Sequence, residues 1–468
     1  MSLNLLLIYP LGEISHLRYP EDSPPLAIPQ LCGYLKKRGI TAYSLDMNLS
    51  NKWLCRLNNT LRSQFGWEYD YSRKTEHTSL QTLIKAALTD QPTMISKYVG
   101  KIQAQLQKHN IDVIGFSVLY PRQLYYTLLL AQQLKQKFPN IRLIAGGSLV
   151  TKYIQELIQT SVFDAFIIGD GELPLYQYLT HSPASEIPNL YYRDANGYVF
   201  SGKQFVADAS YVVEPDFRGW YYRHRLYIKV GSGCPWGKCS FCTYPQANAR
   251  YGGTAAPEYV VSIMQQLQKK YGIGYFRITD DSLSPKFLAK FSQELITQNT
   301  DIQWHCFLAL FRSLKKTTIQ AMADAGCRNV SIGLESMSER VLTLMDKPHK
   351  NPKWAIQVLE WLQEAGIEVA INVIFGFPSE TRAEAMQTFE FVKMRRDLYQ
   401  AIGVHSFTLE RGTPAFNNPE QYGITSIEKG DLHDTGKNYR LGFSYQVDSG
   451  MSQKEAKEFA EMVKKTYL

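Results

Sequence analysis

A short, almost unbroken apolar run, LNLLLIYP (Leu3 to Pro10), opens a chain of 468 residues in which such runs alternate with stretches of helical spacing. A run of this kind is how a strand buried on both faces of a parallel sheet reads, because both faces must be covered. After it, Ile28, Leu31, Cys32 and Leu35 recur at helical spacing up to Gly39, and the strand-like TAYSLDMN follows, giving a β-α-β opening. Residues from about 49 to 110 carry helical spacing with little strand character and are expected to form a helical insertion. The alternation resumes with IDVIGFSVLY (111–120), LLLAQQLKQKF, IRLIAGGS (141–148) and DAFIIGDGE (164–172). Strands alternating with helices predict a doubly wound, Rossmann-like parallel sheet over residues 1–182.

In such sheets ligands sit beyond the carboxyl ends of the strands, where glycine lets backbone approach them closely. Those ends carry Ser117, then Gly146, Gly147 and Ser148, then Gly169, Asp170, Gly171 and Glu172. Taken singly each glycine is as readily a plain strand end; three such ends together point to a ligand crevice. Residues 183–222 read as a linker in which RDANGY makes a tight hairpin turn. From 223 the alternation restarts with LYIKVGSGC, GYFRITDDS, IQWHCFLAL, NVSIGLES, EVAINVIFGFP and IGVHSFTLERGTP. Six strands predict an open or partial (β/α)6 barrel over 223–416, with its chemistry at the carboxyl ends of the strands. The polar remainder, 417–468, has its best periodicity in SQKEAKEFAEMVKKTYL and is expected to be α-rich, closing the barrel floor or meeting a partner.

Charge and cysteine usage narrow the partners. The net charge of +8, from 51 basic and 43 acidic residues, is spread without a block of like charge, which fits a solvated surface better than a nucleic-acid groove. No apolar run reaches the roughly 20 residues that cross a bilayer, and MSLNLLLIYPLGEIS is interrupted too early for a signal peptide. Seven unevenly spaced cysteines do not make a secreted disulfide framework, so a reducing, cytoplasmic setting is expected. Three of them, Cys234, Cys239 and Cys242, crowd into GSGCPWGKCSFCTYP with the spacing C-x4-C-x2-C. Thiolates at these intervals can converge on zinc or an iron-sulfur cluster. A structural zinc would need a fourth ligand, for which His224 or His305 are candidates; three thiolates without a fourth suit a cluster with one iron open to a small molecule.

GCPWGKCSFC after a strand resembles the loop of the radical S-adenosylmethionine (SAM) superfamily, usually C-x3-C-x2-C with an aromatic residue before the last cysteine, here Phe241. This sequence has one additional residue between the first two cysteines, around Gly237 and Lys238. The resemblance implies a 4Fe-4S cluster on the three cysteines that binds SAM at its open iron and releases a 5′-deoxyadenosyl radical. SIGLES resembles the fourth-strand motif, implying that Glu335 binds the SAM ribose with Ser336 beside it. INVIFGFPSET resembles the fifth-strand motif, whose backbone at Val373 and Ile374 would flank the adenine. Asp280 and Asp281 in ITDDS hold the position of the methionine-amino contact, where an ammonium shielded from water needs an acidic partner. For each of these the plainer reading is an ordinary residue at a strand end. RGTP extends the likeness to about Ala415.

Residues from about Leu3 to Leu179 are similar to the cobalamin-binding domain that precedes the radical barrel in one subclass. The resemblance implies that Ser117, Gly146, Gly147, Ser148, Gly169, Gly171 and Glu172 line a cobalamin crevice. Asp-x-His-x-x-Gly, by which many cobalamin domains donate a histidine to cobalt, is absent, implying a base-off mode without a protein histidine. Tyr120 or Arg122 are candidates for the cobalt's lower face, beside their reading as loop residues. The family implies a class B radical SAM methyltransferase acting at an unactivated carbon of a small molecule or peptide. One SAM would methylate the cobalt, another would generate the radical, and flavodoxin or ferredoxin would supply electrons. A rival within radical chemistry is an epimerase, cyclase or rearrangement enzyme, for which Cys306 is the candidate hydrogen-atom donor. A non-enzymatic cobalamin and redox sensor has no need of Glu335 and the fifth-strand motif. A methylthiotransferase would need a second cluster, and the first domain has only Cys32 and Cys55.

Overall fold

The computed structural model describes residues 2–12, 25–48, 79–90, 94–220, 224–243, 251–434 and 439–467. The chain divides into two compact units, one drawn mainly from residues 1–207 and 213–223, the other mainly from 224–430 and 442–468.

The first unit contains β1 (Leu5–Tyr9), α1 (Ala27–Lys36), β2 (Ala42–Asp46), α2 (Leu80–Thr89), α3 (Met94–His109), β3 (Val113–Ser117), α4 (Pro121–Lys137), β4 (Arg142–Gly146), β5 (Ala165–Ile167) and α5 (Glu172–Leu179). The strands pair in parallel in the order β2-β1-β3-β4-β5, which reverses between β1 and β3 and so creates the crevice of a doubly wound sheet. Leu5, Leu6, Leu7 and Ile8 are all buried, as the unbroken apolar run requires. Of the expected helical insertion, α2 and α3 are present and residues 49–78 lie outside the described ones. Gln132 on α4 donates to Leu88 O at 3.2 Å, and Leu80, Leu83 and Ala87 are buried in the same core as Leu128 and Leu129.

The hairpin expected within a linker instead extends this sheet. β6 (Leu190–Asp194) pairs antiparallel with β5, and β7 (Gly197–Phe200) pairs with β6 across the loop Ala195–Asn196. The cause is an aromatic face that needs burial: the Tyr198 ring lies 5.3 Å from Phe166, and its hydroxyl donates to Phe163 O. Pairing also covers the edge that β5 would otherwise expose.

The second unit begins with β8 (Leu226–Ile228), the short antiparallel pair β9 (Gly231–Ser232) and β10 (Gly253–Thr254), and α6 (Pro257–Tyr271). It continues through β11 (Tyr275–Ile278), α7 (Pro285–Thr297), β12 (Gln303–Phe307), α8 (Lys316–Asp324), β13 (Cys327–Glu335), α9 (Glu339–Leu344), α10 (Pro352–Glu364), β14 (Glu368–Phe375), α11 (Arg382–Met394) and β15 (Ala401–Ser406). Proline at the first helical turn starts α6, α7 and α10, where its missing N–H costs nothing; Gly272 at φ +68° stops α6. The six main strands are all parallel and lie in chain order, β8-β11-β12-β13-β14-β15, as a partial barrel requires.

Two contacts fix which face of the barrel is which. The Trp304 ring meets Phe291 of α7 at 5.3 Å and its Nε1 donates to Ala325 O at 2.9 Å, so Trp304 points at the helices. Its in-register neighbour Phe276 shares that side, and alternation turns Arg277 and His305 into the barrel. Along β13 and β14 the outward Val330, Ile332, Val369 and Ile371 are buried, while the inward Ser331, Gly333, Ala370 and Asn372 are only half-buried. The incomplete barrel therefore keeps an open, partly polar interior.

The segment from 417 onward departs from the α-rich expectation. β16 (Ile424–Asp434) and β17 (Tyr439–Val447) form an antiparallel pair before α12 (Gln453–Tyr467). Tyr439, Leu441, Phe443, Tyr445 and Val447 alternate along β17, the pattern of a strand with one covered face, and Tyr445 is buried. α12 packs on its own barrel through Ala456, Phe459, Ala460 and Val463, with the Phe459 ring 5.0 Å from Phe375. A Cβ on Gly376 would come within 2.0 Å of Ala456 Cβ, so glycine is required at that approach.

Candidate active site

The cysteine loop leaves β9 at the carboxyl end of the barrel and is clasped on both sides. Trp236 Nε1 donates to Asp346 O at 2.6 Å, the Ser240 N–H to Met345 O at 3.0 Å, and Ser240 Oγ to Leu344 O at 2.9 Å. Ser240 O in turn accepts from the Ala415 N–H at 3.0 Å. Phe241 packs on a buried cluster that includes Met345, Phe377 and Phe407, with Ile424 and Tyr445 from β16 and β17. The β16–β17 ribbon thus helps build the floor under the loop.

Cys234, Cys239 and Cys242 are half-buried and form no disulfide. Burial pushes the Cys239 thiol up to about 12 against the pull of Lys347, with Cys242, Glu335 and Cys234 adding to the rise. Among the described residues no three His, Cys, Asp or Glu side chains gather around one point. His224 is exposed, and His305 lies inside the barrel within 3.0 Å of Ser331 Oγ. A cubane cluster takes each thiolate on a different iron, so three thiols spread along one anchored loop fit it.

Glu335, the last residue of β13, follows a bulge and sits in register with Val373. Its φ is +62°, a left-handed backbone that a non-glycine residue adopts at a cost of order 1–3 kcal/mol. Its carboxylate accepts from Lys347 Nζ at 3.1 Å with both side chains nearly buried, and Lys347 also lies 5.7 Å from the Phe241 ring. Burial alone would lower the Lys347 ammonium; attraction to Glu335, Cys239 and Cys242 outweighs it and raises it. Lys347 joins the cluster loop to the ribose candidate and was not foreseen, since its only trace in the sequence is a lysine in MDKPHK.

Other expected residues divide. Asp280 is buried and accepts the Val230 N–H at 2.9 Å, tying the end of β11 to the strand that feeds the loop; burial raises its carboxyl to about 6. Asp281 is exposed beside it, and Ile374 is half-buried on the interior face. Ser336 departs from the expectation. It is fully buried, with Oγ 3.4 Å from Thr388 Oγ1 on α11 and accepting the Ser338 N–H at 3.1 Å, so it supports the turn after Glu335 instead of lining the site. Cys306 also departs. It shares the helix-facing side with Trp304, is wholly buried, and burial pushes its thiol up to about 12, which removes it from the interior where a hydrogen donor must sit.

In the first unit the expected crevice residues line one edge. Ser117 ends β3 in register with Gly146 of β4. Gly147 has φ +112°, and a Cβ there would lie 2.5 Å from Val118 O, so backbone rather than side chain forms this rim. Ser148 Oγ donates to Leu119 O at 3.4 Å. The Gly169 N–H donates to Thr151 Oγ1 at 2.8 Å, and Gly171 precedes Glu172, which is buried in the first turn of α5. Tyr120 is 46% exposed at the start of α4, on the open side of the rim, with Arg122 in the first turn of that helix. A glycine-lined edge at the carboxyl ends of β4 and β5, beside Ser117 at the end of β3, fits a flat macrocycle with a trailing nucleotide.

Three thiols on a loop at the mouth of a partial barrel, with a second, doubly wound unit ahead, define an iron-sulfur and organic-cofactor class of protein. Comparison with known families agrees. Residues 228–392 match the Radical SAM superfamily and residues 16–179 match the B12 binding domain. The chain is 25% identical over 306 residues to an uncharacterized methyltransferase of Pyrococcus horikoshii, covering 62% of this chain and 65% of the relative. It is 24% identical over 333 residues to the ribosomal protein uS12 methylthiotransferase RimO of Desulfotalea psychrophila, covering 66% and 69%. The solved structure of the radical SAM methyltransferase TsrM from Kitasatospora setae, with cobalamin and a 4Fe-4S cluster bound, superposes with a TM-score of 0.67 at 16% identity, covering 99% of this chain and 91% of that one. The chain thus carries a B12-binding domain followed by a radical SAM domain. The two domains imply a 4Fe-4S cluster, SAM and cobalamin as its cofactors. Among the described residues no helix is long and apolar enough to cross a membrane.

Proposed function

We propose that this protein is a cobalamin-dependent radical SAM methyltransferase that places a methyl group on an unactivated carbon of a small molecule or peptide. The observation that carries this reading is the cysteine loop clasped against residues 344–346, with Glu335 and Lys347 beside its thiols at the mouth of an open barrel. When bound, the cluster with SAM supplies radical hydrogen abstraction and cobalamin supplies the methyl group. Cys234, Cys239 and Cys242 hold the cluster. Glu335 takes the SAM ribose, the backbone at Val373 and Ile374 flanks the adenine, and Asp281 meets the methionine ammonium. Asp280 holds the loop in place through Val230. The rim at Ser117, Gly146, Gly147, Ser148, Gly169, Gly171 and Glu172 receives cobalamin, with Tyr120 on its open side. A one-electron carrier such as flavodoxin or ferredoxin reduces the cluster.

The helix-facing side of Cys306 argues against the epimerase reading, which needs it as hydrogen-atom donor. A methylthiotransferase would need the cysteines of a second cluster, and the first unit's sequence holds only Cys32 and Cys55. The test is anaerobic reconstitution with iron, sulfide and hydroxocobalamin, followed by desalting, metal analysis and an optical spectrum. Retained cobalt, a cluster lost when the three cysteines become alanine, and 5′-deoxyadenosine formation from SAM under reductant support the reading. A cluster without cobalt refutes methyl transfer through cobalamin, and no 5′-deoxyadenosine refutes the radical step.

A further inference from the structure

Inside the barrel, below the cofactor residues, lies a polar group that the proposed chemistry does not use. Tyr227 on β8, Arg277 on β11 and His305 on β12 are in register across three adjacent strands, all on the inward face. Tyr227 is 8% exposed, and its Oη is buried with no hydrogen-bond partner among the described residues. Buried hydroxyls are rarely left so, because an unmade hydrogen bond costs about 1–3 kcal/mol. The Arg277 guanidinium stands 5.6 Å from the Tyr227 ring and 5.4 Å from the Phe307 ring, held between two aromatic walls. His305 is within hydrogen-bonding distance of Ser331 Oγ, at 3.0 Å. The charges that bear on His305 are those of Arg277 and Arg225; together with burial, the larger cause, they pull its imidazole down to about 4, leaving it neutral at pH 7 in a positive field.

A guanidinium fork, an orphaned hydroxyl and a neutral imidazole between aromatic rings match a planar, two-oxygen monoanion better than a phosphate, which asks for more donors and charge. We propose that Tyr227, Arg277 and His305 form a carboxylate-binding pocket and that the substrate of this enzyme bears a carboxylate that docks there. The inference rests on the reading that the barrel interior receives the substrate. Arg277 is then a specificity-determining residue, and Tyr227 Oη donates the second hydrogen bond.

The test uses the reconstituted full-length protein and equilibrium dialysis with phenylacetate, phenylacetamide and phenyl phosphate as probes. Phenylacetate is expected to bind about tenfold or more tightly than the neutral phenylacetamide, since a hydrogen bond to a charged group is worth about 1.5–3 kcal/mol. Arg277→Gln should erase that preference, Arg277→Lys should keep part of it, and Tyr227→Phe should lower it several-fold, all with unchanged iron and cobalt content. Equal binding of acid and amide, or a preference that survives Arg277→Gln, overturns the proposal. So does a tenfold preference for phenyl phosphate. If Arg277→Gln fails to retain iron and cobalt, the acid-amide comparison on the parent and on Tyr227→Phe decides. A carboxylate preference in a protein that forms no 5′-deoxyadenosine would sink the radical reading and leave the pocket standing, and the reverse result would do the opposite.

Discussion

Replacing Glu335 with glutamine removes the carboxylate facing Lys347 and leaves an ammonium in a nearly buried position. At their 3.1 Å separation and an effective dielectric of about 20, the pair attracts by about 5 kcal/mol, much of which is spent in desolvating both ions. Removing one partner does not return that desolvation, so breaking a buried pair costs about 3–5 kcal/mol. Each side chain keeps about a tenth of its surface exposed, which places Glu335→Gln near the lower end, about 3 kcal/mol. Lys347→Met should cost a similar amount, and the double variant should recover at least about 2 kcal/mol of the sum. The measurement is a double-mutant cycle on the cluster-free protein, by urea unfolding read through pulse proteolysis. Single losses that add to within about 0.5 kcal/mol would show that the two groups do not act as a pair and refute the reasoning.

Three further outcomes are expected. Burial pushes the Glu380 carboxyl from its ordinary 4.5 up to about 8, so the folded state keeps a proton that the unfolded chain releases, and stability falls as pH rises through that window. Glu380→Gln should flatten the decline of the thermal midpoint between pH 5 and 8; a curve parallel to the parent's would count against it. Gly147→Ala drives a Cβ to 2.5 Å from Val118 O at φ +112° and should cost about 1–3 kcal/mol with loss of retained cobalt, measured by metal analysis after desalting. Cys306→Ala should lower stability by about 1 kcal/mol and leave 5′-deoxyadenosine formation unchanged; loss of that product at normal iron content would return Cys306 to the site.

The sequence by itself determined the features that are local in the chain. Eleven strand-like runs separated by helical stretches became the five parallel strands of one sheet and the six of the other, because a covered strand face leaves a local pattern, unbroken in β3 and alternating in β14. The C-x4-C-x2-C spacing put three thiols on one loop, and the glycines after β4 and β5 marked a rim where backbone must stay bare. Only the tertiary structure decided what depends on partners distant in sequence. The residues 190–200 hairpin joined the first sheet because its aromatic face met Phe163 and Phe166, and only the fold set the alternating apolar face of β17 against the cluster under the cysteine loop. Period-two alternation separated Cys306 from His305, but the contact of Trp304 with Phe291 was needed to say which side is inside. Lys347, Arg277 and Tyr227 gain their meaning from the groups that the fold brings against them, and that proximity leaves no mark on the local pattern.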